Sequence, residues 1–298
     1  MRIGIDLGGT KIEIIVIDDG QQEIYRKRID APQGNYTQTL NALRSLVEQA
    51  ESIIGITNAS VGIGMPGSIS NKTGKIKNAN STWLIGEDLQ GDLAKQLKRP
   101  VQIENDANCF ALSEAIDGAG AGKQSVFAVI IGTGCGGGLV VNQQVLRGAN
   151  SIAGEWGHNP LPWYSQTDSL LPCYCGQTGC NETFLSGTGF AKHFALNSDQ
   201  SLTAKQIIEQ AKQGNPQAQQ ALEQYCIWLA KGLASVINIF DPEVIVLGGG
   251  MSNIDWLYQR VPQLWQQWIF SDQVQTQLLP PKWGDASGVR GAAWLRVN

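Results

Sequence analysis

Apolar and polar positions along the chain fall into short runs broken by glycine, proline or charge. Residues 2–7 place Ile3, Ile5 and Leu7 at alternate positions, and 12–17 are apolar apart from Glu13. This predicts two strands joined by a glycine turn, with 25–29 continuing the sheet. Over 35–52, Leu40, Leu43, Leu46 and Val47 share one helical face. Residues 60–65 read as a buried strand ending at Pro66-Gly67, 88–97 as a helix stopped before Pro100, and 101–105 as a strand. Asp106 then opens a helix to about Asp117.

The opening pattern recurs. Residues 125–131 predict a strand, 132–138 a glycine turn and 139–141 the returning strand. Two strand–turn–strand openings predict a duplicated core with a cleft between the halves. A long helix follows at 217–240, with Leu222, Cys226, Leu229, Leu233, Val236, Ile237 and Phe240 at helical spacing. It ends at Asp241-Pro242, and a strand at 244–247 leads into Gly248-Gly249-Gly250 and a helix opened by Ser252-Asn253. The last helix, 288–296, crosses back to the first half. The alternation predicts an α/β protein of two α/β domains. One comprises 1–118 plus 287–298 and the other 119–286, with the small-residue stretch 118–122 as linker. The irregular segment 149–187 needs something to hold it.

At 298 residues, two domains are the ordinary expectation. A net charge of -4 gives no basic footprint for nucleic acid. No apolar run is long enough to span a membrane, and Asp6 with the glycine turn interrupts any leader-like start. The expected location is cytoplasmic.

Three of the six cysteines, Cys173, Cys175 and Cys180, cluster in the irregular segment, with His158 nearby. In a cytosolic chain this favours metal over disulfide, and three thiolates with one imidazole make a closed tetrahedral zinc set. Unliganded thiols are the plainer reading. Cys109, Cys135 and Cys226 read as small buried side chains.

Three glycine turns could cradle phosphate or nucleotide. In the first, Gly8, Gly9, Thr10 and Lys11 follow Asp6, which could hold Mg²⁺ through water. A tight hairpin is the alternative. The second, Gly132, Thr133 and Gly134 running on to Gly137, matches G-x-G-x-x-G, but a strand follows where a dinucleotide fold needs a helix. The third, Gly248 and Gly249, suits a flat ring or simple packing. No Walker-type phosphate loop is present. Asp106 at the head of its helix could accept a proton from a hydroxyl during phosphoryl transfer, with Asn105 holding neighbouring hydroxyls; either could instead be a helix cap. Glu155, Glu182 and His158 flank the cysteine cluster and could bind a sugar, walled by Trp156 or Trp163. The same acids could be solvated loop charges.

In this order, Asp6-Leu-Gly-Gly-Thr-Lys11, Asn105-Asp106, Ile131-Gly-Thr-Gly134, Glu155-Trp-Gly-His158, Cys173-x-Cys-Gly-x-x-Gly-Cys180-x-Glu182 and Leu247-Gly-Gly-Gly250 resemble the ROK family of sugar kinases, repressors and uncharacterised reading frames. The resemblance spans essentially the whole chain. It implies an actin-like (ribonuclease H-like) ATPase fold closing over ATP, Mg²⁺ and sugar. It implies Asp106 as catalytic base, sugar contacts from Asn105, Glu155, His158 and Glu182, and structural Zn²⁺ at His158, Cys173, Cys175 and Cys180. A homodimer is expected on the same ground. Repressors of the family carry an N-terminal helix-turn-helix, and with the phosphate motif starting at residue 4 an enzyme is expected. The segments Gly67-Ser-Ile-Ser70, Lys77-Asn-Ala-Asn-Ser-Thr-Trp-Leu84, Ala153-Gly-Glu-Trp-Gly-His-Asn-Pro-Leu-Pro-Trp163 and Gly249-Gly-Met-Ser-Asn253 are similar to bacterial fructokinases that also accept mannose. This implies phosphorylation of fructose to fructose 6-phosphate. Other hexose kinases (glucose, mannose or N-acetylmannosamine), a non-catalytic sugar sensor and a zinc-stabilised binding module are the alternatives.

Overall fold

The computed structural model describes residues 1–79 and 81–295. The chain begins β1 (Arg2–Leu7), β2 (Lys11–Ile17), β3 (Glu23–Asp30), α1 (Tyr36–Ile54) and β4 (Ser60–Met65). A small hairpin follows, β5 (Ser68–Ile69) and β6 (Ile76–Lys77), then α2 (Leu89–Leu97), β7 (Val101–Asn105) and α3 (Asp106–Ile116). Next come β8 (Ser125–Ile131), β9 (Cys135–Val141), β10 (Gln144–Val145), α4 (Asn181–Leu185), α5 (Gly187–Ser198), α6 (Ala204–Lys212) and α7 (Pro216–Phe240). The chain finishes with β11 (Val244–Gly248), α8 (Asp255–Trp265), β12 (Gln277–Leu279) and α9 (Ser287–Ala293).

The two main sheets have strand orders β3-β2-β1-β4-β7 and β10-β9-β8-β11-β12. In each, an antiparallel three-stranded meander continues into two parallel strands. The recurring strand–turn–strand pattern in the sequence thus marks one sheet topology used twice. Helices cover the sheets where apolar stripes face them. In α1, Leu40, Leu43, Leu46, Val47 and Ala50 are all buried; the Asn35 side chain caps its start and Gly55, at φ 74°, ends it.

Helix α3 has no solvent stripe. Every residue from Ala107 to Ala115 is buried, because α3 is packed against β8, β9 and α9 together. Helix α9 in turn lies on β1 and β4, so it is wedged between the first sheet and α3. Small residues permit this. A Cβ on Gly291 would stand 1.7 Å from the Cys109 carbonyl oxygen, and one on Gly62 2.0 Å from that of Ala292. The far end of α3 is fixed by charge. The buried Asp117 carboxylate accepts from Arg290 Nε at 2.7 Å, Trp283 Nε1 at 3.1 Å and Trp294 Nε1 at 3.2 Å. Arg290 also donates to the Gln21 carbonyl at 2.6 Å. A buried pair with this many hydrogen bonds is satisfied; breaking one member would strand the other.

Several expectations change. The second glycine turn is only residues 132–134, since Ile131 already pairs with Cys135. Gly137 and Gly138 lie within β9, where a Cβ would meet the Gly154 carbonyl at 2.8 Å and that of Ala107 at 2.7 Å. They serve close packing and not a turn. The stretch 118–122 is tied down: Glu114, fully buried, accepts from the Ala119 N–H at 2.8 Å, and the Gly120 N–H reaches the Glu114 carbonyl at 2.8 Å. Residues 250–253 form a 3₁₀ turn, and α8 begins only at Asp255. The last helix ends at Ala293; Arg296 and the two residues after it lie outside the described residues, as does Asn80. Helix α6 was not foreseen. Cys109, Cys135 and Cys226 are buried as expected. No helix among the described residues is long and apolar enough to cross a membrane.

Gly291→Ala forces a methyl group into the α3 backbone and should cost at least about 2 kcal/mol. Urea unfolding checks this; an unchanged midpoint would contradict the backbone-to-backbone packing.

Candidate active site

Two clefts adjoin between and beside the sheets, of about 1020 Å³ and about 1060 Å³. They share Gly132 and Thr133 in their walls. The first collects Gly67, Asn105, Asp106, Glu155, His158 and Glu182. The second is framed by α5, α6 and the turn at Gly250, with Lys192, Lys205 and Lys212 on its walls.

Strand β7 and helix α3 meet in the first cleft. Asn105 is the helix cap: its side-chain oxygen accepts the Ala107 N–H at 2.9 Å. Its amide also donates to the Gly67 carbonyl at 3.1 Å, tying β7 to the chain leaving β4, and one amide N–H remains for a ligand. Asp106 is therefore the first helical residue, not the cap. Burial pushes its carboxyl above the usual range, opposed by the Ala107 N–H (2.8 Å) and reinforced by the charge of Glu155.

Asp6, at the end of β1, is raised from 3.8 to about 6, first by burial and then by the charges of Asp106 and Glu13, while Arg28 opposes. Asp6 and Asp106 are thus electrostatic neighbours. Residues 8–11 form the β1–β2 hairpin, with the Gly8 N–H on the Lys11 carbonyl at 3.0 Å, and they line neither cleft. Lys11 pairs with Asp30. The buried Ser81 hydroxyl faces this hairpin at Gly9 and has no partner among the described residues.

The third glycine turn divides its roles. Gly248 is covered by the Phe110 ring, 2.6 Å from where a Cβ would stand. Gly249, at φ 78°, lies against Ile131 and Gly132, so the second and third turns touch. Gly250 faces the second cleft. Gly134 lies in the first cleft, close to the Glu182 carboxylate, whose Oε2 accepts the Cys135 N–H at 2.9 Å.

Behind the first cleft, His158, Cys173, Cys175 and Cys180 bring their ligand atoms within 4.8 Å of one another. Cys173 Sγ is 3.5 Å from His158 Nδ1, and Cys175 Sγ is 3.6 Å from Cys180 Sγ. A tetrahedral ion with sulfur at about 2.3 Å sets edges of about 3.8 Å, so the residues fit a metal ion. Burial, with the neighbouring thiols, pushes Cys180 up to about 12, so a thiolate there needs a cation to form. His158 Nε2 meets the Tyr174 hydroxyl at 2.9 Å.

The tryptophans do not wall the cleft. Trp156 is buried against Phe127 and donates to the Gly232 carbonyl at 3.1 Å, making it part of the core. Trp163 stacks on Trp268 and lines neither cleft. His193 packs between Phe184 and Trp228. Sequence reasoning missed Glu104 and Arg147. The buried Glu104 carboxylate accepts from Arg147 Nε at 2.5 Å, Asn108 Nδ2 at 3.0 Å and the Asn105 N–H at 3.0 Å. The signal was there: Arg147 is the only Lys or Arg between Lys123 and Lys192. Asn71 reaches across the same cleft to the Ala149 carbonyl and Ser151 hydroxyl.

Asp6 gives a pH-dependent prediction. Its folded value lies above its unfolded one, so stability falls as pH rises from about 4 to about 6 and stays lowered above that. Asp6→Asn should stabilise the ligand-free chain at pH 7.5 by about 2 kcal/mol. The gain should shrink steadily toward pH 4.5. Thermal melts across pH test this, and a gain independent of pH would contradict it.

Residues 2–298 match the ROK family profile. The N-acetyl-D-glucosamine kinases of Yersinia pseudotuberculosis and Yersinia enterocolitica are 39% and 40% identical, over all of this chain and 99% and 100% of theirs. The crystal structure of a ROK hexokinase from Thermus thermophilus superposes with TM-score 0.87 at 29% identity, covering 98% of this chain and 96% of that one. A Streptomyces griseus ROK glucokinase solved with glucose and AMPPNP superposes with TM-score 0.75 at 28% identity, covering 98% and 97%. The paired sheets are those of the actin-like ATPase fold, and the chain belongs to the ROK family.

Proposed function

We propose that the chain is an ATP-dependent sugar kinase that phosphorylates D-fructose to fructose 6-phosphate and also accepts mannose. The observation that carries the kinase reading is the junction of two clefts at Gly132 and Thr133, with the Asp106 carboxyl in one and lysines in the other. Sugar occupies the first cleft and nucleotide the second. Phosphoryl transfer to a hydroxyl requires two such sites to meet at an acid.

In this reading Asp106 accepts the proton as the sugar hydroxyl attacks the γ-phosphate in line. Asn105, Glu155, His158 and Glu182 hold the other hydroxyls. Gly132 and Thr133, with Gly248 and Gly249 packed behind, shape the nucleotide side, and Gly134 completes the turn from the sugar side. Asp6 would hold Mg²⁺ through water, and the ion would neutralise charge on the transferred phosphoryl group. Closure of the first sheet and its covering helices toward the second sheet, with α3 staying on β8 and β9, would bring Gly8, Gly9, Thr10 and Lys11 over the phosphates and exclude water. His158, Cys173, Cys175 and Cys180 would hold a structural zinc, which would fix the orientation of His158 in the cleft.

The reading of fructose as acceptor rests on the likeness of four segments to fructokinases, parts of which reach the first cleft. Gly67, Ser68, Ile69, Lys77, Asn78, Ala153, Gly154 and Glu155 all line the sugar cleft. Fructose offers O6 from its furanose ring and mannose from its pyranose ring, so this pocket reads shared hydroxyls loosely. The second reading is N-acetyl-D-glucosamine, favoured by the names of the relatives at 39–40% identity.

The test is ADP release from MgATP with fructose, mannose, glucose, N-acetylglucosamine and N-acetylmannosamine. The highest kcat/KM should be with fructose; a higher value with N-acetylglucosamine would favour the second reading, and no turnover with any sugar would overturn the kinase. Asp106→Asn should lower kcat by about 10²–10⁴ while the chain stays folded. In the parent, kcat/KM should fall on the acid side at a pH above the ordinary carboxylate range, because burial holds Asp106 protonated there. Near-parent turnover by Asp106→Asn would remove Asp106 from the base's role.

A further inference from the structure

His158 has two ring nitrogens, and both are engaged. Nδ1 points into the cysteine cluster, 3.5 Å from Cys173 Sγ. Nε2 stands 2.9 Å from the Tyr174 hydroxyl, and the two rings meet edge-on with centroids 5.0 Å apart. Tyr174 lies between two of the clustered cysteines and lines the same cleft as His158 and Glu182. It is 83% exposed, and His158 is the only hydrogen-bond partner of its hydroxyl among the described residues. An exposed ring held by a single polar contact is easily moved.

The chemistry of that contact is set by the cluster. A cation on Nδ1 would leave the imidazole neutral with its proton on Nε2, so that Nε2–H would donate and the phenol oxygen accept. A sugar hydroxyl oxygen is an acceptor of the same kind and size, and His158 faces the cleft where a sugar would lie.

We propose that Tyr174 is a specificity-determining plug: its hydroxyl occupies the place on His158 Nε2 that a sugar hydroxyl takes, and the acceptor binds by displacing it. This rests on the first cleft being the sugar site. A sugar with a hydroxyl at that place exchanges one N–H···O bond for another and loses little. A sugar without one leaves the tyrosine seated and meets a narrowed cleft, so discrimination comes from the occupant that must leave. The net affinity of a matching sugar is reduced by the bond it has to break.

The experiment is calorimetric titration of fructose, mannose, glucose and N-acetylglucosamine, without nucleotide, into the zinc-loaded parent and into Tyr174→Phe. Phenylalanine keeps the ring and removes the hydroxyl. The variant should bind the preferred hexose about 3- to 10-fold more tightly, as expected for one net hydrogen bond no longer broken on binding. Its KM should fall in proportion, with kcat and zinc content per chain unchanged. Equal or weaker binding by the variant would overturn the proposal, as would loss of zinc, which would make Tyr174 a support of the cluster. If the parent itself binds no hexose, the sugar-site reading fails and the proposal with it; if the parent binds and the variant does not differ, only the role of Tyr174 falls.

Discussion

Where α3 crosses α9, backbone touches backbone, and the position of the candidate site follows from that contact. Gly291 lets the carbonyl of Cys109 approach, and Gly62 does the same for α9 on the first sheet. Helix α3 is thereby shared between both sheets, with no face left to solvent. Its C-terminal end is locked by Asp117 to Arg290 and two tryptophans. Its N-terminal end carries Asn105 and Asp106 into the cleft. A buried helix fixed at both ends is a rigid mount, and a proton acceptor needs placement to within a fraction of an ångström. The cost is two acids held out of water: burial first, then the charge of Asp106 on Asp6 and that of Glu155 on Asp106, lifts both above the ordinary carboxylate range.

The glycines separate into two kinds that look alike in sequence. Some allow elements to touch, as Gly137 and Gly138 do between β9, α3 and the 3₁₀ turn at Glu155–His158. Others, such as Gly132 and Gly250, have open space where a side chain would be and face a cleft. Only the second kind can receive a ligand. Gly249 joins the two sets, because its left-handed backbone brings the third turn onto the second.

Much of this was legible from sequence. Alternation in β1 and β4 and the helical stripes of α1 and α7 arise from local burial, which periodicity records directly. The cysteine spacing together with His158 pointed to a metal cluster, and the four ligand atoms do converge. The misses have a common cause in contacts far apart along the chain. Nothing local tells that Gly136 to Gly138 are strand, since their form is set by Ala107 and Gly154. Trp156 could have faced a ligand or the core, and only the position of α7 decides. Helix α5 opens with Gly187 and Gly189, poor helix formers, and is held by Ser186 capping and by packing on α4 and α7. The Glu104–Arg147 pair joins residues 43 apart in sequence, and the Tyr174–His158 pair residues 16 apart.

The central claim is that sugar and nucleotide meet at Asp106 across the shared wall of Gly132 and Thr133. A crystal structure with fructose and a non-hydrolysable MgATP analogue tests it most directly. The account predicts the sugar's O6 within hydrogen-bond distance of the Asp106 carboxylate, in line with the γ-phosphate, with the nucleotide in the cleft framed by α5, α6 and Gly250. A sugar bound away from Asp106, or a nucleotide outside that cleft, would contradict it.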